Sequence, residues 1–299
     1  MSHEPLPRID LRLLRQFVAV AEELHFRRAA ERLGMSQPPL TAAIRRLEEE
    51  IGATLIDRNR KTIKLTAAGS VLLEQARHLL SVVGGALAAT RDAAAGKRGR
   101  VRLGYVGSAM YGRLPAALRD FRRQRPDVRV ELREMTTAAQ IAALRSNDLD
   151  LAIAIPPLGD AGGVRAVPFD TDRLAMALPM AHRLAAAREF EIGDFAAEPF
   201  VSWPREQGAG FFDRAMRLCA VAGFAPDVVQ EAHGMHAVLS LVAVEVGVAI
   251  VPASMASIRP EEIAYRQIAD EAARFSLMLC RRAGEPDPAT TELETALLI

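Results

Sequence analysis

The stretch from Phe26 to Gly52 reads FRRAAERLGMSQPPLTAAIRRLEEEIG, and it leaves few folds open. Two short amphipathic patterns stand back to back. The first puts Ala29, Ala30 and Leu33 on one face; the second puts Leu40, Ile44 and Leu47 on one face, at i, i+4 and i+7. Gly34, Met35 and Ser36 separate them. Gly34 can take the positive φ that ends a helix, and Ser36 suits the N-cap of the next. Pro38 and Pro39 fall in the second helix's first turn, where a missing N–H costs little. Two helices joined through a tight glycine turn make a helix-turn-helix, whose second helix is the candidate DNA reader. Its outward face carries Gln37, Pro38, Thr41, Ala42 and Arg45 near a helix N-terminus, where partial positive charge and free N–H groups suit a phosphate. An ordinary αα-hairpin would show the same two faces, so the flanks decide.

On the N-terminal side, residues before Ile9 read as a loose tail. Leu11 to Leu24 reads as a helix with Leu14, Phe17, Val18, Ala21 and Leu24 on one stripe, completing a three-helix core. After Gly52, ATLIDRNRKTIKLT fits a β-hairpin wing with apolar Leu55, Ile63 and Leu65. The wing carries Arg58, Arg60, Lys61 and Lys64 against one acid, Asp57. Beside a recognition helix such cations would lie along the DNA backbone or enter the minor groove; otherwise they make a solvated turn. Thr66 can cap the next helix, whose apolar positions Leu72, Ala76, Leu79, Val83 and Ala86 alternate in steps of four and three. That is a coiled-coil seam. From Thr66 to Ala94 the helix would run roughly 40 Å at 1.5 Å per residue. A second copy of itself is its simplest partner, its own C-terminal domain the alternative.

Composition bounds the rest. At 299 residues, two or three domains are expected. The net charge of +1 gives no global basic signature, so any DNA-binding surface is local. No apolar run approaches a membrane span and the first residues, Met-Ser-His-Glu-Pro, are no signal peptide. Cys219 and Cys280 stand in apolar patterns without metal-ligand spacing and read as reduced core residues. These features together predict a cytoplasmic protein, without a cofactor or a bound metal.

Past the linker Ala95–Gly99 the pattern changes. RVRLGYVG, VRVELREM and DLDLAIAI read as strands separated by helices at Leu114–Arg123 and Ala138–Leu144. LAMALP, PFVSW, PDVVQEA and GVAIVP come next as strands, with helices at Phe211–Val221 and His236–Val244. IAYRQI, FSLMLCRR and a helix near Thr290–Leu298 close the chain. Alternating strands and helices imply an α/β domain with a largely parallel sheet. Two units in series, with a late strand and helix returning to the first, suggest two lobes around a cleft. Ligands in such sheets bind at strand C-terminal ends. Candidate walls are Gly107-Ser108, Thr136-Thr137 and the loop from Trp203 to Phe211. Ser108 and Thr137 could equally be plain N-caps.

The order of winged helix-turn-helix, long helix and two-lobed α/β domain resembles a LysR-type transcriptional regulator from about Ile9 onward. The matching pieces are LRLLRQFVAVAEE, RAAERLGMSQPPLT, IRRLEEEIGATLIDR, KLTAAG and VGVAIVP. GYVGSAMYGRLPAALRDFRRQRPDVRVELREMTTAAQIAAL is similar to the branch that includes CatR, BenM and CbnR, regulators of aromatic-compound and chlorocatechol degradation. The resemblance implies a DNA-binding domain over 9–65, a dimerisation helix over 66–95 and an effector domain of periplasmic-binding-protein type over 100–299. Lobe I would span about 100–168 and 274–299, lobe II about 169–273. It implies a homodimer through the long helix, a homotetramer, a double-stranded DNA operator and RNA polymerase as a further partner. It also implies a small carboxylate inducer, muconate-like or an aromatic acid. Family effector contacts carry over onto Ser108 and Thr137, with Trp203 and Phe211 as further walls. DNA contacts fall on Arg27, Ser36, Gln37, Pro38, Thr41 and Arg45, with Arg58, Arg60 and Lys61 in the wing. The chain departs from the family at Ala42-Ala43, where an Arg-Gln pair is common. It also has His25-Phe26-Arg27 where a small polar residue commonly precedes the aromatic.

Other classes read less well. An enzyme would need Ser108 as nucleophile with His182, His233 or His236 as base, but GYVGS lacks the Gly-x-Ser-x-Gly elbow. A thiol sensor would need Cys219 or Cys280 in an electropositive setting. An architectural DNA binder would not need a cleft, and a LysR-type regulator of a different pathway would keep every feature above except the inducer.

Overall fold

A computed structural model describes residues 9–57, 63–94 and 99–299. The chain divides into two compact units, Met1–Arg91 and Asp92–Ile299.

In the smaller unit, α1 (Leu11–Glu23), α2 (Phe26–Arg32) and α3 (Gln37–Ile51) pack around Phe17, Val20, Ala29, Leu40, Ile44 and Leu47, all without solvent exposure. Asp10 caps α1 by accepting from Leu13 N at 2.7 Å. Gly34 and Gly52 adopt φ of +66° and +73°, ending α2 and α3. Ser36 holds the N-cap position of α3, with extended backbone, but its hydroxyl makes no capping bond. Pro38 and Pro39 fix the entry of that helix instead, their missing N–H groups being ones the first turn leaves unpaired anyway.

The C-terminal end of α3 anchors the next strand. The Glu48 carboxylate accepts from Leu55 N at 2.9 Å and Ile56 N at 3.1 Å, just where β1 (Ile56–Asp57) begins. This strand pairs antiparallel with β2 (Lys64–Leu65), giving the base of the expected wing. Arg58, Arg60 and Lys61 lie outside the described residues. Thr66 then caps α4 (Ala67–Ala94), accepting from Gly69 N at 3.0 Å and donating to Thr54 O at 2.7 Å. Arg77 on α4 reaches Glu22 on α1 at 2.7 Å, and Arg32 meets the other oxygen of the same carboxylate at 2.7 Å. Partial burial acts to raise the Glu22 carboxyl, and the two guanidiniums outweigh it, holding the group below the ordinary carboxylate range. Ala76 is buried, whereas Val71, Leu79, Val82 and Leu87 are exposed on α4.

The larger unit carries β3 (Gly99–Tyr105), α5 (Leu114–Gln124), β4 (Val128–Glu134), α6 (Thr137–Arg145) and β5 (Leu151–Ala154) in its first half. Next come β6 (Val164–Pro179), β7 (Pro199–Ser202), α7 (Ala209–Val221), β8 (Asp227–Glu231), α8 (Met235–Ala243), β9 (Ala249–Pro252) and β10 (Ile263–Gln267). β11 (Arg274–Arg282) and α9 (Pro288–Leu298) complete it. One sheet runs β10-β6-β11-β5-β3-β4, with β9 joined to β6. β3 is parallel to β4 and to β5, as the helical crossovers require. The expectation of a largely parallel sheet fails beyond them. β6 runs antiparallel to β11 over Val164–Arg173, then antiparallel to both β9 and β10 up to Pro179. The sixteen residues of β6 thus serve two halves. One half is built on β3, β4 and β5, the other on β9 and β10 with the β7–β8 pair bridged to it at Phe200–Val248.

Helix α4 starts so close to the preceding strand that a Cβ on Gly69 would overlap the Leu55 carbonyl oxygen. Gly69→Ala is expected to destabilise the protein by about 1–3 kcal/mol, the usual range for overpacking. Urea denaturation followed by circular dichroism measures it, and an unchanged midpoint would mean that the contact yields freely.

Candidate functional site

A cavity of about 550 Å³ opens where the strands of both halves end. From the first half it is lined by Gly107 and Ser108 after β3, Glu134 at the end of β4 with Met135 to Thr137 after it, and Ile155, Pro157, Leu158 and Gly159 after β5. From the second it receives Trp203 and the segment Glu206 to Phe211 after β7, Gly234 and Met235 after β8, and Pro252 and Met255 after β9. Ser108, Thr137, Trp203 and Phe211, the four effector candidates, therefore share one space.

They do different things in it. Thr136, not Thr137, caps α6, accepting from Ala139 N at 3.3 Å. The Thr137 hydroxyl donates to Ile155 O at 3.1 Å and accepts from Ile155 N at 3.2 Å. It locks α6 to the end of β5, and its only proton is spent there. Ser108 lies in the 3-10 turn Gly107–Tyr111, and its hydroxyl has no hydrogen-bond partner among the described residues. Trp203 and Phe211 are an aromatic wall, with ring centroids 4.5 Å apart, and Phe275 meets Phe211 edge-on at 5.7 Å. Gly210 permits a close approach between the halves: a Cβ there would strike the Pro156 carbonyl.

Three helices of at least nine residues, α6, α7 and α8, begin at the cavity. None has an acidic residue in its first turn, and neither α7 nor α8 has a side-chain cap. The first two N–H groups of each have no acceptor among the described residues and carry partial positive charge, while the third is already bonded to the cap residue. Such ends hold anions without any cationic side chain. Apolar Met135, Ile155, Leu158, Met235 and Met255 complete the walls. The halves also meet at Tyr111 and His236, whose hydroxyl and Nε2 are 2.6 Å apart. Burial, and secondarily the charge of Glu134, push the Tyr111 phenol up. Sequence reasoning missed this pair and both lining carboxylates, Glu134 and Glu206. Each carboxylate stands at or beyond a strand's C-terminal end, which was the available signal.

The arrangement offers no hydrolytic centre at Ser108. His236 is taken by Tyr111, His233 by Gln207, and His182 accepts from Leu184 N at 3.2 Å while facing Glu198. Cys219 and Cys280 are fully buried, and burial pushes each thiol up to about 11, away from the reactive thiolate.

In the smaller unit, Ser36, Gln37, Pro38 and Arg45 are exposed along α3 and its entry, and Thr41 is half-buried. Thr41 donates to Gln37 O at 3.1 Å, leaving its lone pairs and methyl for a partner. Arg27 faces Glu31 at 3.3 Å in a solvent-exposed pair of little energetic weight. Arg45 has no ion-pair partner among the described residues, nor has its neighbour Arg46, which sequence reasoning passed over.

The sequence matches two family profiles: bacterial regulatory helix-turn-helix protein, lysR family, over residues 11–70, and LysR substrate binding domain over residues 94–298. The HTH-type transcriptional regulator AlsR of Bacillus subtilis (strain 168) is 36% identical over 260 residues, 87% of this chain and 86% of that protein. The crystal structure of full-length CbnR complexed with its target DNA superposes with a TM-score of 0.71 at 29% identity, covering 97% of this chain and 99% of that one. The BenM effector binding domain with its effector benzoate gives a TM-score of 0.61 at 26% identity, covering 67% of this chain and 91% of that domain.

The two cavity hydroxyls should separate in mutagenesis. Thr137→Val keeps the shape but strands both backbone groups of Ile155, and should lower stability by about 1–3 kcal/mol. Ser108→Ala removes no bond and should leave the denaturation midpoint within about 0.5 kcal/mol. Equal losses would refute the distinction.

Proposed function

Since this chain belongs to the LysR family of DNA-binding transcriptional regulators with an effector-binding domain, we propose that its effector is a small carboxylate. The acid group lies at the starts of α6, α7 and α8, and the body lies against Trp203 and Phe211. The observation that carries this reading is the meeting of three helix N-termini in one apolar cavity. Ser108 donates its hydroxyl to the acid, while Thr137 holds the wall and offers backbone N–H. Because the ligand touches both halves, it favours one arrangement of them over another and so changes how the protein sits on DNA.

On the DNA side, α3 enters the major groove with Gln37, Pro38, Thr41 and Arg45, and Ser36 meets a phosphate. Arg27 and the wing cations Arg58, Arg60 and Lys61 hold the backbone. The apolar residues exposed along α4 support a homodimer through that helix, with pairs of dimers forming a tetramer. Likeness to the benzoate-bound BenM domain supports control of an aromatic-compound catabolic operon, in the cytoplasm and with RNA polymerase as a further contact. A regulator of a different metabolic pathway is the second reading. It is favoured by one observation, that no lysine or arginine lines the cavity among the described residues.

Two experiments test this. Benzoate and muconates are screened by thermal shift; a ligand at 100 times its dissociation constant adds about 2.7 kcal/mol. The shift should vanish in Phe211→Ala and shrink in Ser108→Ala, and a shift that survives both would place the ligand elsewhere. Separately, Arg45→Ala should weaken binding to a duplex selected from random sequence by about tenfold. If its contact is a phosphate, the salt slope should flatten by about one; unchanged affinity would remove Arg45 from the interface.

A further inference from the structure

We infer that the effector carries a cationic nitrogen as well as its carboxylate, an ammonium–carboxylate zwitterion with an apolar body whose ammonium lies between Glu134 and Glu206. The inference rests on the cavity being the effector site. The charged side chains that line it, among the described residues, are Glu134 and Glu206. No lysine or arginine stands among the lining residues to balance them.

Neighbouring charges are already matched. Arg205, adjacent to Glu206, donates to both oxygens of Asp213 at 2.7 and 2.8 Å. Arg133, adjacent to Glu134, donates to Asp148 O. Glu131, on the same strand, has Arg129 at 3.2 Å and Arg100 at 3.7 Å. Glu134 and Glu206 alone keep no ion pair on this wall among the described residues. Glu134 lies against the turn that presents Ser108: its Oε1 is 2.6 Å from where a Cβ on Gly107 would stand. A side chain at that position would push the carboxylate aside. Its negative field is already felt locally, since after burial it is the second cause raising the phenols of Tyr105 and Tyr111.

A dianion would meet two like charges in the lining, and the helix starts would have to hold both of its ends. A zwitterion satisfies both sets of groups: its carboxylate at the helix N-termini, its ammonium as donor to two carboxylates, the strong charge-assisted kind of hydrogen bond. The two acids also come from opposite halves, Glu134 from the end of β4 and Glu206 from the segment after β7. Both are exposed to solvent, and one ammonium gives the two a common partner. The ammonium thus adds a second contact with both halves to the one the carboxylate makes at the starts of α6, α7 and α8.

The test uses the full-length protein and matched pairs that differ in the amine: phenylalanine against phenylpropionate, leucine against isocaproate, aminomethylbenzoate against toluate. Affinities come from thermal shift and calorimetry. In each pair that binds, the aminated member is expected to be at least tenfold tighter. Glu134→Gln and Glu206→Gln, both near-isosteric, should each weaken it about tenfold while leaving or improving the plain acid. The proposal is overturned if plain acids bind equally or better, if the Gln variants treat both members alike, or if no aminated compound binds. Phe211→Ala separates this from the reading beneath it. Plain acids that bind and are lost in Phe211→Ala would keep the cavity and remove the ammonium; ligands that persist in Phe211→Ala would remove the cavity itself.

Discussion

The pairing of β11 with β6, from Arg274 opposite Arg173 to Arg282 opposite Val164, is the backbone contact on which the larger unit turns. Beyond it β6 continues to Pro179 and carries β9 and β10. The two halves are therefore joined by the continuous strand β6, and the chain returns from β10 to β11 through residues 268–273. The register shift between Leu277 and Met278 marks where the β6–β11 ladder is irregular. Because strands of both halves end at the same place, loops and helix starts from both converge there. The cavity is a consequence of that topology, and the side chains within it only decide what it accepts.

The smaller unit rests on a different device. A few polar groups at element ends carry the chain from one piece to the next. Glu48 holds the start of β1, Thr66 joins the start of α4 to Thr54, and Glu22 ties α4 and α2 to α1 through Arg77 and Arg32. These fix the direction in which α4 leaves, while the apolar contacts around Leu40, Ile44 and Leu47 hold α3 in place. Val71, Leu79, Val82 and Leu87 stay exposed along this long helix.

Periodicity made much of this readable in advance. Leu40, Ile44 and Leu47, chosen by spacing, are wholly buried, and the glycines at 34 and 52 take the backbone conformations that end helices. The cleft residues Ser108, Thr137, Trp203 and Phe211 were legible because each stands between a strand's C-terminal end and the first turn of the helix that follows. The features that escaped were set by partners distant in sequence. No element was expected over VRAVPFDTDR; pairing with β11 makes it the first part of β6. Strand direction leaves no mark on burial pattern, so the antiparallel part of the sheet was not visible. Of two adjacent threonines, which one caps and which one clamps Ile155 depends on where the helix begins, by a single residue. Glu134 and Glu206 looked like ordinary solvated acids because their significance lies in the absence of cations around one cavity.

The most direct measurement is the length of duplex protected by the full-length protein on a selected operator, with and without a stabilising ligand, in wild type and in Phe211→Ala. If occupancy of the cavity governs how the protein sits on DNA, the ligand changes the protected length in wild type and leaves it unchanged in Phe211→Ala. An identical footprint in wild type with and without saturating ligand would contradict the account.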